Sequence, residues 1–415
     1  MSTAFSNALS GLQANSDAIN VVSGNLANAN TYGYKANTVS FQELVSEIGN
    51  TGSNLNGAGV VPLSTQTFSQ GSITTTGQPY DAAIQGNGFF VVQGQTGQQA
   101  FTRAGNFTLN ANGQLLTQNG ENVQGWNGLN GVVNTNAPLA NIVVPVAGLR
   151  APTVTTEFSL NLNLDSGAQV GTTDATFSSP IQVVDSQGQQ HTLTVTYTET
   201  AAGTWSYAVT IPTPDVTAGT STTLATGTLG FDQNGNLLAS TTSPASPIPI
   251  AISSLADGAA NMNINWNLYD GNNVPQITQY DQASTNLASS QDGTQAGQLL
   301  GISIGQNGQL TAAYSNGDNV AVAQLAVATV LNPESMQDLG NNTFGVTSAT
   351  SVPAIGVPGT GSRGTVSGGA LESSTVDIAN EFTNLLIYER GYQADSKVIT
   401  TEDQVIQTTL GLIQA

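Results

Sequence analysis

The C-terminal stretch of the chain decides the fold class, and at residues 381–415 it reads EFTNLLIYERGYQADSKVITTEDQVIQTTLGLIQA. Its apolar side chains recur at steps of three, four and seven residues, which places them on one side of an α-helix. They are Phe382, Leu385, Tyr392, Ile399, Ile406, Leu410 and Ile413. Ser374–Asp377 fits a capping box, so we predict a helix that begins after Asp377. If this helix continues to residue 414, it is about 60 Å long, which is typical of a coiled coil or bundle.

The N-terminal stretch repeats this pattern. Over residues 3–30, the apolar or small side chains are Phe5, Ala8, Leu12, Ile19, Val22, Leu26 and Ala29. We predict a helix here that ends between Asn30 and Gly33, since glycine commonly stops a helix. Two lone helices bury too little surface to hold each other. The pattern therefore predicts a helical base that the chain leaves and rejoins, and that other chains complete.

Almost everything between the two ends carries the signals of β-strands. Short apolar or β-branched runs, as at residues 89–92 and 191–197, alternate with Asn-Gly pairs, as at 112–113 and 234–235, which favour hairpin turns. This pattern predicts antiparallel sheets arranged as a sandwich or barrel. Residues 34–70 are polar and glycine-rich and are predicted to form a linker with one short apolar piece near residues 41–48.

The composition excludes several classes of partner. Lys and Arg number 6 against 26 Asp and Glu, which gives a net charge of −20. Nucleic acid and anionic membrane surfaces require clustered cations, so neither is an expected partner. The chain has no Cys, which excludes disulfides and thiolate metal sites. We find no cleavable signal pattern and no apolar run of membrane-spanning length. If the protein leaves the cell, we therefore expect a route without a cleaved signal peptide, and we expect no membrane insertion.

No motif predicts catalysis, a cofactor or a metal ion. His191 is the only histidine, and its place on an alternating strand predicts a surface or edge-strand side chain. Residues 359–364 match the string G-x-G-x-x-G, but they follow two prolines rather than a strand, so a flexible linker is predicted. The Asp-Gly pairs at 257, 270 and 292 lack the carboxylate ladder of a calcium loop and are predicted to be turns.

Six segments together resemble the flagellar rod and hook protein family. SGLQA at residues 10–14 with NLANANTYGYK at 25–35 is similar to the family's N-terminal signature. GALESSTVD at 369–377 with YERGYQA at 388–394 is similar to its C-terminal signature. The β domain that follows the first helix is matched by IQGNGFF at 84–90 and FTRAGNF at 101–107.

The middle of the chain resembles the outer domain of the hook-type members, which the short rod proteins lack. The matching stretches are SPIQVVDSQG at 179–188, LGFDQNG at 229–235, YSNG at 314–317 and LNP at 331–333. Gly24, Thr375 and Asp395 stand where the family pattern has asparagine. Individual contacts at those three positions are therefore not carried over from the family.

The resemblance implies a mainly β chain with α-helical termini, in which antiparallel β-sandwich or barrel domains stand on a terminal helical coiled-coil domain. We expect three domains. Residues 1–71 with 371–415 form the helical inner-tube domain with its linker, residues 72–149 with 296–370 form a discontinuous β domain, and residues 150–295 form an inserted outer β domain. The assembly interface is expected at Phe5, Leu12, Ile19, Val22, Leu26, Phe382, Leu385, Tyr392, Ile399, Ile406, Leu410 and Ile413.

The implied function is that of a structural subunit of the bacterial flagellar hook. Such subunits polymerise into a flexible tube, a universal joint that transmits torque from rod to filament. The implied partners are copies of the same chain, a rod protein at the proximal end, a hook cap during assembly, a hook–filament junction protein at the distal end and the flagellar type III export apparatus. The implied location is the extracellular hook.

Three alternatives remain open from the residues alone. A distal rod or hook-associated protein would share the terminal signatures, although the β insertion argues against a rod protein. A secreted adhesin or surface-layer protein fits the composition but would be expected to carry a signal peptide or an anchor. An enzyme such as a glycosidase would need a pair of carboxylates in a cleft, and no such pair stands out in the sequence.

Overall fold

The computed structural model describes residues 3–43, 59–94, 96–129, 131–146 and 149–413. The chain divides into two compact units. Unit 1 comprises residues 1–146, 301–313 and 319–415, and unit 2 comprises residues 147–300 and 314–318. The prediction of a mainly β chain with a helix near each end is confirmed.

The helices are α1, Thr3–Ala27, and α2, Ile378–Ile413. The strands that precede unit 2 are β1 (Asn37–Glu43), β2 (Val60–Gln66), β3 (Ile73–Thr75), β4 (Ala82–Gln85), β5 (Phe89–Gln93), β6 (Gln99–Thr102), β7 (Thr108–Leu109), β8 (Leu115–Leu116), β9 (Asn122–Leu129), β10 (Val132–Val133) and β11 (Ala140–Asn141). The next strands are β12 (Leu149–Arg150), β13 (Glu157–Asp165), β14 (Thr176–Val184), β15 (Gln190–Ala201), β16 (Thr204–Thr210), β17 (Thr223–Phe231), β18 (Leu237–Ser243), β19 (Ile248–Ile252), β20 (Met262–Asn267), β21 (Ile277–Tyr280) and β22 (Thr285–Gln291). The remaining strands are β23 (Gly297–Ile304), β24 (Gln309–Tyr314), β25 (Asn319–Leu325), β26 (Val327–Thr329), β27 (Gln337–Gly340), β28 (Thr343–Gly345), β29 (Ala354–Gly356), β30 (Thr365–Gly368) and β31 (Ala370–Glu372).

Helix α1 ends earlier than predicted, whereas the predicted start of α2 after Asp377 is confirmed. Helix α1 ends at Ala27 rather than near Gly33, because the Asn28 side chain donates to the carbonyl of Gly24 at 2.9 Å and turns follow. Helix α2 begins at Ile378, and Asp377 is itself the N-cap: its Oδ1 accepts the N–H groups of Ala379 at 2.9 Å and Asn380 at 3.2 Å. With 36 residues, α2 is about 54 Å long.

The predicted linker after α1 is partly a β-hairpin. Strands β1 and β2 pair antiparallel, with Asn37 opposite Gln66. The backbone N–H of Val60 donates to Oγ of Ser10 at 3.2 Å, which ties this hairpin to α1. Polar composition hid the strands because both of their faces are largely solvent-accessible. Residues 44–48 of the predicted apolar piece lie outside the described residues.

In unit 1, strands that precede unit 2 in the chain pair with strands that follow it. β3 pairs with β31, β4 with β30, β5 with β26, β6 with β28 and β9 with β25, all antiparallel. Part of the core is an aromatic cluster in which Phe68, Phe89 and Phe344 meet edge to face at 5.2–6.0 Å between centroids. The sheets of unit 1 therefore require both the part of the chain that precedes unit 2 and the part that follows it.

Unit 2 contains two five-stranded sheets that share one hydrophobic core. One sheet runs β14-β15-β16-β17-β18, and the other runs β19-β20-β13-β21 with β22 also paired to β13. Trp205 of the first sheet and Trp266 of the second are fully buried members of the same cluster. Buried and accessible residues alternate along β15 and β16, as the period of two predicts.

The prediction of antiparallel sheets holds for the sheet of β14–β18 in unit 2, but it is wrong for part of the other sheet. Strand β13 pairs in parallel with β20 and with β21, while its other edge pairs antiparallel with β22. The sequence cannot show this, because β13 lies some hundred residues from its partners along the chain and no short turn fixes the direction.

The string at residues 359–364 is a hydrogen-bonded turn between β29 and β30 rather than a flexible linker. The N–H of Gly359 donates to the carbonyl of Gly364 at 3.0 Å, and Nε of Arg363 donates to the carbonyl of Val357 at 3.1 Å. In the part of the chain that the structure describes, neither helix is long and apolar enough to cross a membrane.

Candidate assembly surface on the terminal helices

Helices α1 and α2 pack antiparallel through small and polar side chains. A row of α1 residues spaced by three or four is buried against α2 and the hairpin: Ala14, Ala18, Val22 and Asn25 are each at most 3% exposed. Alanine allows two helix backbones to approach closely, so the pair is held by close packing rather than by large apolar side chains.

Two glycines mark the points of closest approach. A Cβ atom built on Gly11 would lie 2.7 Å from Oδ2 of Asp395, and one built on Gly391 would lie 2.9 Å from the amide of Asn15. Asn15 donates from Nδ2 to Oδ2 of Asp395 at 3.0 Å. The hydrogen bond between Asn15 and Asp395, which lies beside the two glycines, therefore fixes the register of the two helices.

Asn25 is the polar hub at the other end of the helix pair. Its side chain is fully buried, and its Nδ2 donates to Oε1 of Glu381 at 3.0 Å and to the carbonyl of Asn37 at 2.7 Å. Its Oδ1 accepts the hydroxyl of Tyr34 at 3.1 Å and the N–H of Asn37 at 3.0 Å. All donor and acceptor capacity of this amide is used, so substitution would leave several buried groups unpaired.

Burial beside this hub alters the titration of Glu381. Burial raises the pKa of the Glu381 carboxyl, the hydrogen bond from Asn25 lowers it, and the negative charge of Asp377 raises it. The net pKa lies above the ordinary value for glutamate. The charged carboxylate is therefore slightly unfavourable at this junction.

A buried ion triad joins the ends of both helical segments to the β-strands of unit 1. Glu372 accepts from Nζ of Lys35 at 2.7 Å and from Nη1 of Arg103 at 3.1 Å, and these three side chains are at most 4% exposed. The N–H of Gly71 also donates to Oε1 of Glu372 at 2.7 Å. Burial lowers the pKa of Lys35, and the hydrogen bond and charge of Glu372 raise it, with a net lowering. Residues from four separate chain segments thus meet at one carboxylate.

The twelve residues predicted for the assembly interface occupy three kinds of environment. Val22 is buried against the partner helix at 3% exposure. Half-buried positions are Phe5, Leu12, Ile19, Leu26, Leu385 and Ile399. Exposed positions are Phe382 at 54%, Ile406 at 49% and Tyr392 at 38%. Leu410 and Ile413 lie on α2, and their side chains lie outside the described residues.

The heptad row of α1 is not the row that faces α2. Phe5, Leu12, Ile19 and Leu26 recur every seven residues and lie on average about 130° around the helix from the buried Ala14 and Ala18. They flank the contact between the two helices. The apolar pattern included Val22 of the buried row but left out Gly11, Ala14, Ala18 and Asn25, which make the intrachain contact.

Large apolar side chains remain uncovered along both helices. The most exposed are Leu9 at 47%, Ile378 at 49%, Phe382 at 54%, Leu386 at 56%, Ile387 at 58%, Val405 at 57% and Ile406 at 49%. A solvent-exposed helix of a monomer would place polar residues at such positions. These seven residues lie on several sides of the two helices, and we call the surface that they form together the open apolar face.

His191 is buried, which corrects the prediction of a surface histidine. Its side chain is 1% exposed and is surrounded by Asp185, Asp215 and Asp257, with nitrogen–oxygen distances of 3.1–3.3 Å. Burial lowers the pKa of His191, but hydrogen bonds and negative charge from Asp185 and Asp215 outweigh it and the net pKa is raised. The strand pattern missed this cluster because Asp215 and Asp257 arrive from loops that follow much later in the chain.

Two of the three Asp-Gly pairs, at 257 and 270, lie in turns as predicted, whereas Asp292 and Gly293 form an extended segment in which Oδ1 of Asp292 accepts the N–H groups of Thr156 at 2.8 Å and Glu157 at 3.0 Å. Oδ1 of Asp270 accepts the N–H groups of Asn272 at 2.9 Å and Val274 at 2.7 Å. Oδ1 of Asp257 accepts the N–H of Ala259 at 2.9 Å. Asp257 differs from Asp270 because its second oxygen also faces His191.

Family profiles cover most of the chain and define its class. Residues 5–35 match the flagella basal body rod protein and residues 367–412 match the flagellar basal body rod FlgEFG protein C-terminal region. Residues 83–223 match the flagellar hook protein FlgE/F/G D1 domain, and residues 161–294 match the flagellar basal body protein FlaE D2 domain. These matches and the paired terminal helices define a structural protein of the flagellar rod and hook class.

Individual relatives narrow the class to one family. The flagellar hook protein FlgE of Escherichia coli is 31% identical, over 99% of this chain and 100% of the relative. FlgE of Rhizobium meliloti is 32% identical, over 97% of both. The crystal structure of Helicobacter pylori flagellar hook protein FlgE2 shares the fold with a TM-score of 0.54 at 14% identity, over 71% of this chain and 99% of that one. The chain belongs to the flagellar hook protein FlgE family, which is a family of structural proteins rather than of enzymes.

Proposed function

We propose that this chain is a structural subunit of the bacterial flagellar hook that polymerises with copies of itself. The open apolar face carries this proposal. Its seven large apolar side chains lie on helices whose mutual contact is already made by small and polar residues. Burying one such side chain gains about 1.5–3 kcal/mol, so a second copy that covers several of them is strongly favoured.

The polymer is a flexible tube that transmits torque from rod to filament. Low charge supports flexibility: only 8% of residues are Asp, Glu, Lys or Arg. Polar, weakly charged surfaces exchange water-mediated contacts without breaking strong ion pairs. The proposed further partners are a rod protein, a hook cap, a hook–filament junction protein and the type III export apparatus, and the proposed location is the extracellular hook.

The three-domain division also remains a proposal, with one adjustment. Placing the boundary of the helical domain at residue 371 would assign Glu372 to the helices, yet its carboxylate is buried against Arg103 of the β region and strand β31 pairs with β3. The helical domain is therefore better begun at Asp377, the N-cap of α2.

Serine substitution of the open apolar face tests the assembly role. We expect the triple variant Phe382→Ser, Leu386→Ser, Ile387→Ser to remain a folded monomer and to form no tubes visible by electron microscopy under conditions that polymerise the wild type. The matched control is Val352→Ser, because Val352 is 91% exposed and lies on a loop rather than on either helix. We expect this control to polymerise.

The number and length of tubes formed by the triple variant decide whether the open apolar face is the assembly surface. If the triple variant formed tubes of normal length and number, the open apolar face would not be the assembly surface. Circular dichroism and hydrogen exchange of the β-strands should match the wild type in both variants, which excludes global misfolding as the cause of lost assembly.

A further inference from the structure

The cluster around His191 has an arrangement that the hook function does not use. Asp185 follows β14, His191 lies near the start of β15, and Asp215 and Asp257 lie in two loops at the same end of unit 2. A backbone bridge between Val216 and Leu255 and the bond from Ala256 N–H to the carbonyl of Asp215, at 3.0 Å, hold these two loops together. The cluster is therefore built on a fixed backbone.

Each of two carboxylates divides its oxygens between the backbone and the histidine. Oδ1 of Asp185 accepts the N–H groups of Gln187 at 2.8 Å and Gln189 at 2.9 Å, and its Oδ2 lies 3.1 Å from Nε2 of His191. Oδ1 of Asp257 accepts the N–H of Ala259, and its Oδ2 lies 3.3 Å from the same Nε2. Two carboxylate oxygens thus converge on one ring nitrogen, which carries at most one proton.

One carboxylate oxygen of the cluster is not satisfied by a hydrogen bond. Oδ2 of Asp257 is buried without a hydrogen-bond partner, whereas Nδ1 of His191, on the opposite side of the ring, faces Oδ2 of Asp215 at 3.3 Å. Unit 2 contains one arginine, Arg150, and no lysine, and Arg150 pairs with Asp318 at 3.6 Å. Three carboxylates therefore surround a single imidazole with no lysine or arginine in contact with them among the described residues.

We propose that Nε2 of His191 and the Oδ2 atoms of Asp185 and Asp257 form a binding site for a divalent transition-metal ion of the zinc type. A tetrahedral ion with ligand bonds of about 2.0–2.1 Å places neighbouring ligand atoms about 3.3 Å apart. The two nitrogen–oxygen distances, 3.1 and 3.3 Å, match that spacing. The three ligand atoms also lie within 4.8 Å of one another.

Asp215 completes this arrangement from the far side of the ring. Its Oδ2 faces Nδ1 of His191, so it accepts the Nδ1 proton and leaves the Nε2 lone pair for the ion. Asp257 and Asp215 are 16% and 26% exposed, which gives an ion and a water ligand access from solvent. Nitrogen with carboxylate oxygens suits zinc-type ions better than calcium, which takes oxygen ligands.

The uniqueness of His191 allows a direct experiment on the full chain. Metal-free protein labelled with nitrogen-15 is titrated with Zn²⁺, and the two imidazole nitrogen signals are followed by NMR. We expect the Nε2 signal to shift and to saturate at one ion per chain, while the Nδ1 signal remains that of a protonated nitrogen. A histidine whose signals do not respond to millimolar Zn²⁺ would overturn the proposal.

Three variants assign the ligands. Asp257→Asn keeps the Oδ1 bond to Ala259 but removes a ligand charge, and we expect a larger loss of Zn²⁺ affinity than the roughly 10–100-fold loss expected for Asp215→Asn, which orients the ring. Asp270→Asn is the matched control, because Asp270 forms the same kind of turn outside the cluster. Equal Zn²⁺ affinity in wild type and Asp257→Asn by calorimetry would show that zinc binds elsewhere, and would overturn the site.

Discussion

Glu372→Gln is the substitution that most directly tests how unit 1 is held together. The change preserves size and shape but removes the only negative charge in the triad with Lys35 and Arg103. One glutamine oxygen can still accept, but the amide –NH₂ must then face a donor, either Nζ of Lys35 or the guanidinium of Arg103. Two cations that are 1% and 4% exposed are left without a counter-charge.

The expected cost follows from the contacts that are lost. Removing one partner from a buried ion pair costs about 3–5 kcal/mol, mostly because the remaining charge stays buried. Two charge-assisted hydrogen bonds of about 1.5–3 kcal/mol each give a similar sum. A typical domain is stable by about 5–15 kcal/mol, so unit 1 should lose a large fraction of its free energy of unfolding.

Hydrogen exchange in increasing urea, resolved by peptide with mass spectrometry, is the assay. We expect protection of β3, β4, β30 and β31 to fall in Glu372→Gln, while the strands of unit 2 provide an internal reference. Glu389→Gln is the matched control, because Glu389 is exposed on α2 in the same unit. An exposed carboxylate contributes at most about 1 kcal/mol. If Glu372→Gln behaved like this control, the triad would not stabilise unit 1.

Two further predictions concern the paired helices. Gly11→Ala should destabilise the helix pair, because the new Cβ would lie 2.7 Å from Asp395. A Cβ added at Gly24 meets nothing within 4 Å, so Gly24→Ala should stabilise α1 by about 0.5–1 kcal/mol. Hydrogen exchange of α1 measures both effects, and equal effects of the two substitutions would contradict the close approach of the helices at Gly11. The pKa of Glu381 is raised in the folded protein, so the charged form opposes folding and the stability of the pair should decrease as pH rises from about 4 through that pKa. Glu381→Gln retains an acceptor for Asn25 and should remove this dependence, as urea midpoints at about pH 4 and pH 7 will show; an unchanged slope would assign it to another group.

The sequence predicted the elements of the fold better than their contacts. The apolar repeats from Phe5 and from Phe382 correctly indicated helices, since periodicity is a local property of the chain. The contact between them depends on Gly11, Asn15 and Asp395, and neither glycine nor asparagine carries a periodic signal that a hydrophobic pattern can detect. In the same way, hairpins with short turns were predictable, whereas the parallel pairing of β13 was not.

The buried polar sites were the least predictable part. Lys35 and Glu372 are separated by 337 residues, and His191 meets a carboxylate from a loop 66 residues later in the chain. A lone lysine and a lone histidine are usually accessible, so the local sequence favours the wrong environment for both. One signal for buried ion pairs was available in the sequence. The chain has only 6 Lys and Arg, so each of them is more easily expected to have a structural role than in a chain rich in cations.

The pairing of the two chain ends also sets an order of folding. Asn15 and Asp395 are 380 residues apart, so α1 cannot find its intrachain partner until almost the whole polypeptide is available. The core of unit 2, by contrast, is formed within residues 158–277. We expect pulsed hydrogen exchange during refolding to show the strands of unit 2 protected first and α1 last. In a subunit whose N-terminus emerges first, α1 would therefore lack its intrachain partner until α2 has also emerged. Such a subunit could bind neighbouring copies through its paired helices only after its last residues are available.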